Sequence, residues 1–126
     1  MRDGIGFAER GESQKALQRF HQVLKHRPRH LGALYNRGNV LRDMAHFDEA
    51  KKTFYKLLAL YPRHAETYRN LVSLLPATQA LKLEPALHEI LIEPKTDALA
   101  RSHALFALAT IREKLSDYDR AFDYLH

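Results

Sequence analysis

Within Ala33–Pro62, ALYNRGNVLRDMAHFDEAKKTFYKLLALYP, apolar and small residues recur at helical steps, break off, and start again. The first ladder is Leu34, Gly38, Leu41 and Ala45, and the second is Ala50, Phe54, Leu57, Leu58 and Tyr61. Steps of three and four residues place each ladder on one face of an α-helix. The break, Ala45-His46-Phe47-Asp48, predicts a short turn, with Asp48 capping the second helix through its side-chain oxygen. Pro62 ends that helix, because proline lacks the amide and clashes with the preceding turn. The stretch therefore predicts a helical hairpin.

The order Leu34, Gly38, Leu41, Ala50, Phe54, Pro62 resembles the tetratricopeptide repeat (TPR), whose period is about 34 residues. Arg37 departs from that pattern, since the family usually has leucine there; its aliphatic stem can still lie along apolar surface. A shift back by one period places Ala16 on Ala50, Phe20 on Phe54, Leu24 on Leu58 and Gly4 on Gly38. The tripeptide Pro28-Arg29-His30 likewise returns as Pro62-Arg63-His64. Gly11 falls on Ala45 and is expected at the turn between two helices, where a left-handed backbone suits glycine. The resemblance implies an all-α fold of antiparallel helical hairpins, stacked as a right-handed TPR superhelix (an α-solenoid).

The expected organisation is a single array over residues 1–126. Repeat 1 (1–30) is clipped in its first helix, and repeat 2 (31–64) is complete. Repeat 3 (65–96) is degenerate: Pro76 ends its first helix early. Glu84-Pro85 opens a short second helix, proline being tolerated in a first turn, and Ala86 and Ile90 keep the step of Ala50 and Phe54. Repeat 4 (97–126) begins at a cap on Thr96 or Asp97 and runs to about Leu115. Ser116-Asp117-Tyr118-Asp119 forms its turn, and His126 cuts its second helix. Repeat arrays generally need a polar cap at each end. The chain is thus expected to be a fragment or N-terminal module, with Phe122 and Leu125 on a face that packs on further sequence or self-associates.

Several functions are disfavoured by what the chain lacks. It has no cysteine, hence no disulfide, thiolate metal site or cysteine nucleophile. It shows neither a signal peptide nor a membrane-length apolar run, and a cytoplasmic protein is expected. His26 and His30 are four apart, but Pro28 breaks the helix that would align them, and no recognised ligand spacing occurs. His30 and His64 are read as exposed turn residues. No nucleophile elbow or phosphate-binding loop is present. Asp117, Asp119 and Asp123 surround a helix start and are read as favourable charge at its N-terminus. No catalytic residue, metal or cofactor is implied.

A protein-binding surface is the remaining candidate. In the TPR family the first helices of successive hairpins line a concave groove. Carried over, that groove comprises Tyr35, Asn36, Asn39 and Arg42, followed by Glu66, Arg69, Asn70 and Ser73. Amides can pair with a peptide backbone, and arginine forks with carboxylates. The partner is expected to be a protein segment, an acidic one included. The lysine and asparagine clamp that grips chaperone tails in one TPR subgroup is incomplete, whether it starts at Met1 and Ile5 or at Tyr35 and Asn39. The segment 102–126 also resembles the repeat that precedes the catalytic domain of bacterial TPR-containing sulfotransferases, through Phe106-Ala107-Leu108-Ala109 and Asp117–Phe122. That implies, as the alternative, a substrate- or partner-presenting module of a larger enzyme.

Charge is uneven along the chain. Residues 1–70 hold 14 Lys and Arg against 7 Asp and Glu, and residues 71–126 hold 6 against 8. Such a basic half attracts polyanions. Nucleic acid is not favoured, because no exposed aromatics interleave the basic residues and no nucleotide-binding motif occurs.

Overall fold

The computed structural model describes residues 2–115, with side chains from Gly11 onward. Within them lie seven helices and no strand: α1 (Arg2–His26), α2 (Leu31–Asp43), α3 (Phe47–Leu60), α4 (Ala65–Val72), α5 (Ala77–Leu81), α6 (Glu84–Ile92) and α7 (Ala98–Lys114). The fold is all-α, as the periodicity predicts. It divides into two compact units, Met1–Leu60 and Tyr61–His126. No helix among the described residues is long and apolar enough to cross a membrane. The turn at 116–119, the acidic cluster Asp117, Asp119 and Asp123, and the face of Phe122 and Leu125 lie outside the described residues.

In the first unit α2 and α3 form the predicted hairpin, and α1 packs against α2. Its core joins Ala33, Leu34 and Leu41 to Ala50, Phe54 and Leu57, each at most 4% exposed. Gly38 lies against the Phe54 ring. A Cβ built on this glycine would stand 2.8 Å from both Cδ1 and Cζ, well inside van der Waals contact. Helix α2 starts at His30, whose Nδ1 accepts the Ala33 amide proton at 3.0 Å. It ends in a Schellman pair, with His46 N–H donating to the Leu41 carbonyl and Ala45 N–H to that of Arg42, at 2.8 and 2.9 Å. The left-handed residue of this motif is Ala45, at φ 63.

Two expectations for this unit are corrected. Gly11 is not a turn: α1 is continuous through it, and no described glycine has a positive φ. Glycine permits a left-handed backbone without imposing it. Here helix formers flank it on both sides (Ala8-Glu9-Arg10 and Glu12, Gln14, Lys15, Ala16), and an internal glycine costs a helix only about 1 kcal/mol. Asp48 is not the cap of α3, which begins one residue earlier at Phe47. Asp48 instead sits in the first turn, where its charge favours the helix N-terminus, and pairs with Lys51 at 3.4 Å.

The second unit is built around α7, which packs against α4, α5 and α6. Helix α4 ends at Val72, four residues before Pro76, and Pro76 is the N-cap of the five-residue α5. Pro85 lies in the first turn of α6. The buried face of α6 carries Leu87 and Ile90, whereas Ala86 is half-buried. The step expected from Ala86 is therefore displaced by one residue. Asp97 caps α7 by accepting the Ala100 amide proton at 2.8 Å. Thr96 is occupied elsewhere, its hydroxyl donating to the Ile90 carbonyl at 2.7 Å. Arg101 holds the loop between these helices, donating to the carbonyls of Leu91, Glu93 and Thr96 at 2.7, 3.2 and 3.3 Å. Glu84 and Arg112 form a largely buried ion pair between α6 and α7.

Candidate functional site

The eight groove residues fall four in each unit. On α2, steps of four and three put Tyr35, Asn39 and Arg42 on one face, partly exposed, with the exposed Asn36 beside them. The Arg42 guanidinium is 3.4 Å from the Asp43 carboxylate, a surface pair of small energetic weight.

The second set is more developed. Glu66, Arg69, Asn70 and Ser73 recur at helical steps along α4 and its C-cap. The exposed Ser73 hydroxyl folds back on its own helix, donating to the Asn70 carbonyl at 2.7 Å. Arg69 reaches across to α7, where its guanidinium carbon lies 3.9 Å above the centre of the Phe106 ring. Its Nη1 is 3.3 Å from His103 Nδ1. Arginine has no acceptor, so in this contact the guanidinium is the donor. A cation over an aromatic face is held by the ring quadrupole, worth about 0.5–1 kcal/mol at an exposed site. Phe106 remains 44% exposed and Leu99, nearer the start of α7, 68%.

Beside this stack is an open cavity of about 200 Å³, lined by Arg63, His64, Glu66, Leu99, Ala100 and His103 among others. His64 is half-buried rather than the exposed turn residue expected, and its Nδ1 lies 2.6 Å from the Thr67 hydroxyl. Burial holds its pKa below the ordinary value; nearby His103 pushes the same way and Glu66 opposes them. The Tyr68 hydroxyl donates to the Pro62 carbonyl at 2.8 Å. Burial, and after it the charge of Glu89, raises this phenol's pKa. The loop at the start of α4 is thus held from two sides. Together these groups offer one oriented cation, two imidazoles, a carboxylate and two exposed apolar side chains, a set suited to binding.

Phe106 and His103 were not among the groove residues read from sequence. The signal for His103 was there: it lies one 34-residue period after Arg69, itself one period after Tyr35. Phe106 carries no such register mark, and a phenylalanine within a helical ladder reads as core.

A family model for the tetratricopeptide repeat matches residues 7–75. The chain belongs to the tetratricopeptide repeat family. An uncharacterized protein of Aquifex aeolicus (strain VF5) is 26% identical over 117 residues, covering 93% of this TPR chain and 15% of its own length. The solved structure of the MamA RS-1 ArsTM double mutant is 26% identical, with a TM-score of 0.62 over 96% of this chain and 66% of that one. The TPR chain therefore spans less than two thirds of either relative. Of the residues carrying the sulfotransferase likeness, Asp117–Phe122 lie outside the described region.

Proposed function

We propose that this TPR chain is a noncatalytic protein-binding module that takes a partner segment on the α4–α7 face. One observation carries the reading: Arg69 is laid on the exposed ring of Phe106 and touches His103, beside a cavity edged by Leu99. An arginine held in place this way loses less side-chain entropy when it meets a carboxylate. The exposed Phe106 and Leu99 supply the kind of apolar anchor on which binding energy concentrates. The matching partner carries an acidic residue close to an apolar one, and Glu66 disfavours acidic groups on the cavity side. Tyr35, Asn36 and Asn39 stand one 34-residue period before Arg69, Asn70 and Ser73, with Arg42 one turn further along α2, and the reading extends to all four.

The test is selection of dodecapeptides from a random display library on the purified chain, followed by affinity measurements on variants. Arg69→Glu is expected to weaken selected acidic–apolar peptides at least tenfold, and Phe106→Ala to weaken them with far-UV circular dichroism unchanged. Unaltered affinity in both variants would overturn the proposal.

A further inference from the structure

The first unit contains a pair of cavities centred on Arg37, the residue that departs from the family's apolar ladder. At about 100° per residue, Arg37 lies on the side of α2 opposite Tyr35, Asn39 and Arg42. It lines two cavities, of about 380 and 480 Å³, which also share His21. Sharing these two residues, the cavities adjoin as neighbouring parts of a cleft, each lined by residues of α1, α2 and α3. The wall on α1 runs from Gln14 to Lys25, about 16 Å at 1.5 Å per residue. Leu17 and Leu24, both half-buried, contribute apolar surface above the buried Leu34 and Leu41, and Gln14, Gln18 and Gln22 contribute amides.

The charges in this cleft are unbalanced. Lys25, Arg37 and Lys56 line it against the single carboxylate of Glu49, which belongs to the cavity farther from the two lysines. No ion pair joins Lys25, Arg37 or Lys56 to an acid among the described residues; Arg37 donates from Nη1 to the Thr53 hydroxyl. Thr53 in turn donates to the Glu49 carbonyl at 2.9 Å, which fixes its lone pairs toward Arg37. A guanidinium has five N–H donors, and this one is anchored through a neutral hydroxyl, leaving its charge uncompensated. One period later the equivalent position is Leu71, which is fully buried. Arg37 thus puts a fixed cation where the repeat otherwise closes its core.

We infer that the α1–α2–α3 cleft binds an acidic segment of a partner protein. Its carboxylates would meet Arg37, Lys25 and Lys56, its apolar side chains Leu17 and Leu24, and its backbone the glutamine amides. A lone phosphate would use only the basic end and leave the amide and leucine surface uncovered, whereas a peptide about five residues long matches the whole length. The inference does not depend on the α4–α7 face.

The experiment is a second sorting of peptides selected on the whole chain, with affinities measured on Arg37→Leu, on Lys25→Glu/Lys56→Glu and on Arg69→Glu. The expected result is a class rich in Asp and Glu interleaved with apolar residues. It should bind Arg37→Leu and the lysine double variant at least tenfold more weakly, bind Arg69→Glu unchanged, and weaken with added salt. Lys25 and Lys56 are exposed, so the double variant keeps the test valid should Arg37→Leu fold differently. No peptide class sensitive to the lysine double variant, or displacement of that class by millimolar inorganic phosphate, would overturn the inference. So would a single-stranded oligonucleotide binding the same residues more tightly than any selected peptide. Loss on Arg69→Glu alone would support the other site and refute this one.

Discussion

Gly38→Ala and Gly11→Ala make the same chemical change on two helices and are expected to have opposite effects. Both glycines are helical, so alanine should gain about 1 kcal/mol of helix propensity at each. At Gly11 nothing lies within 4 Å of an added Cβ, and that gain stands alone. At Gly38 the new carbon would meet three Phe54 ring carbons, Cδ1 and Cζ at 2.8 Å and Cε1 nearer still. Carbon–carbon contacts are optimal at about 3.5–4.0 Å, so the ring or the helix must move by nearly 1 Å. The ring has no free direction, because Phe54 is 0% exposed. Overpacking of this kind costs about 1–3 kcal/mol, and subtracting the propensity gain of about 1 kcal/mol leaves a net loss of up to about 2 kcal/mol, centred near 1. With a small-protein urea slope of about 1–2 kcal/mol/M, the midpoint should fall by about 1 M. Far-UV circular dichroism against urea measures both variants. A Gly38→Ala midpoint at or above wild type would show that Phe54 is not seated on α2 as described, and would refute the packing argument.

Three further outcomes follow from local geometry. Ala45→Gly should raise stability by about 0.5–1 kcal/mol, because alanine is held left-handed at φ 63 and the glycine removes more strain than it adds chain entropy; urea titration reads it. Arg101→Lys should lower stability by about 2 kcal/mol, since an ammonium cannot reproduce a fork that serves three carbonyls on one loop, and hydrogen exchange at the α6–α7 loop should rise. For His64, burial makes the folded-state pKa lower than the unfolded value near 6.5, so the unfolded chain binds the proton more readily. The stability due to neutral His64 is therefore complete above that unfolded value and is lost as pH falls through the folded one. The acid-side decline should be shallower in His64→Asn, and identical slopes would remove His64 as its cause.

The hairpin of α2 and α3 was legible because its signals agree: ladder spacing, a turn, and a terminating proline all describe one packing. Pro85 and Asp97 were legible for the same reason, each acting through its own backbone or side chain. The errors arose where a residue's capacity was taken as its conformation. Gly11 can adopt a left-handed backbone but stays helical, and Ala45, which disfavours that backbone, adopts it because the Leu41 and Arg42 carbonyls need donors at the end of α2. The groove residues were placed by register alone. Register cannot show that Arg69 turns toward α7, because that depends on an exposed phenylalanine that periodicity assigns to a core.

Arg37 joins these strands in a last prediction, because it should trade stability for binding. Its equivalent Leu71 is 0% exposed, and burying a leucine side chain is worth about 1.5–3 kcal/mol. Arg37→Leu gives up the bond to the Thr53 hydroxyl, about 1.5–3 kcal/mol for a charge-assisted donor, but the loss falls at the low end because Thr53 keeps its own bond to the Glu49 carbonyl. The variant should therefore be more stable than wild type by up to about 1 kcal/mol, with the leucine occupying the cleft, while acidic peptide binding there is lost. A residue kept for packing predicts the reverse. If Arg37 is a strut between α2 and α3, Arg37→Leu will lower the urea midpoint and leave peptide affinity where it was. Stability and affinity measured on one variant thus separate a recognition residue from a structural one, and movement of both in the same direction would exclude the trade.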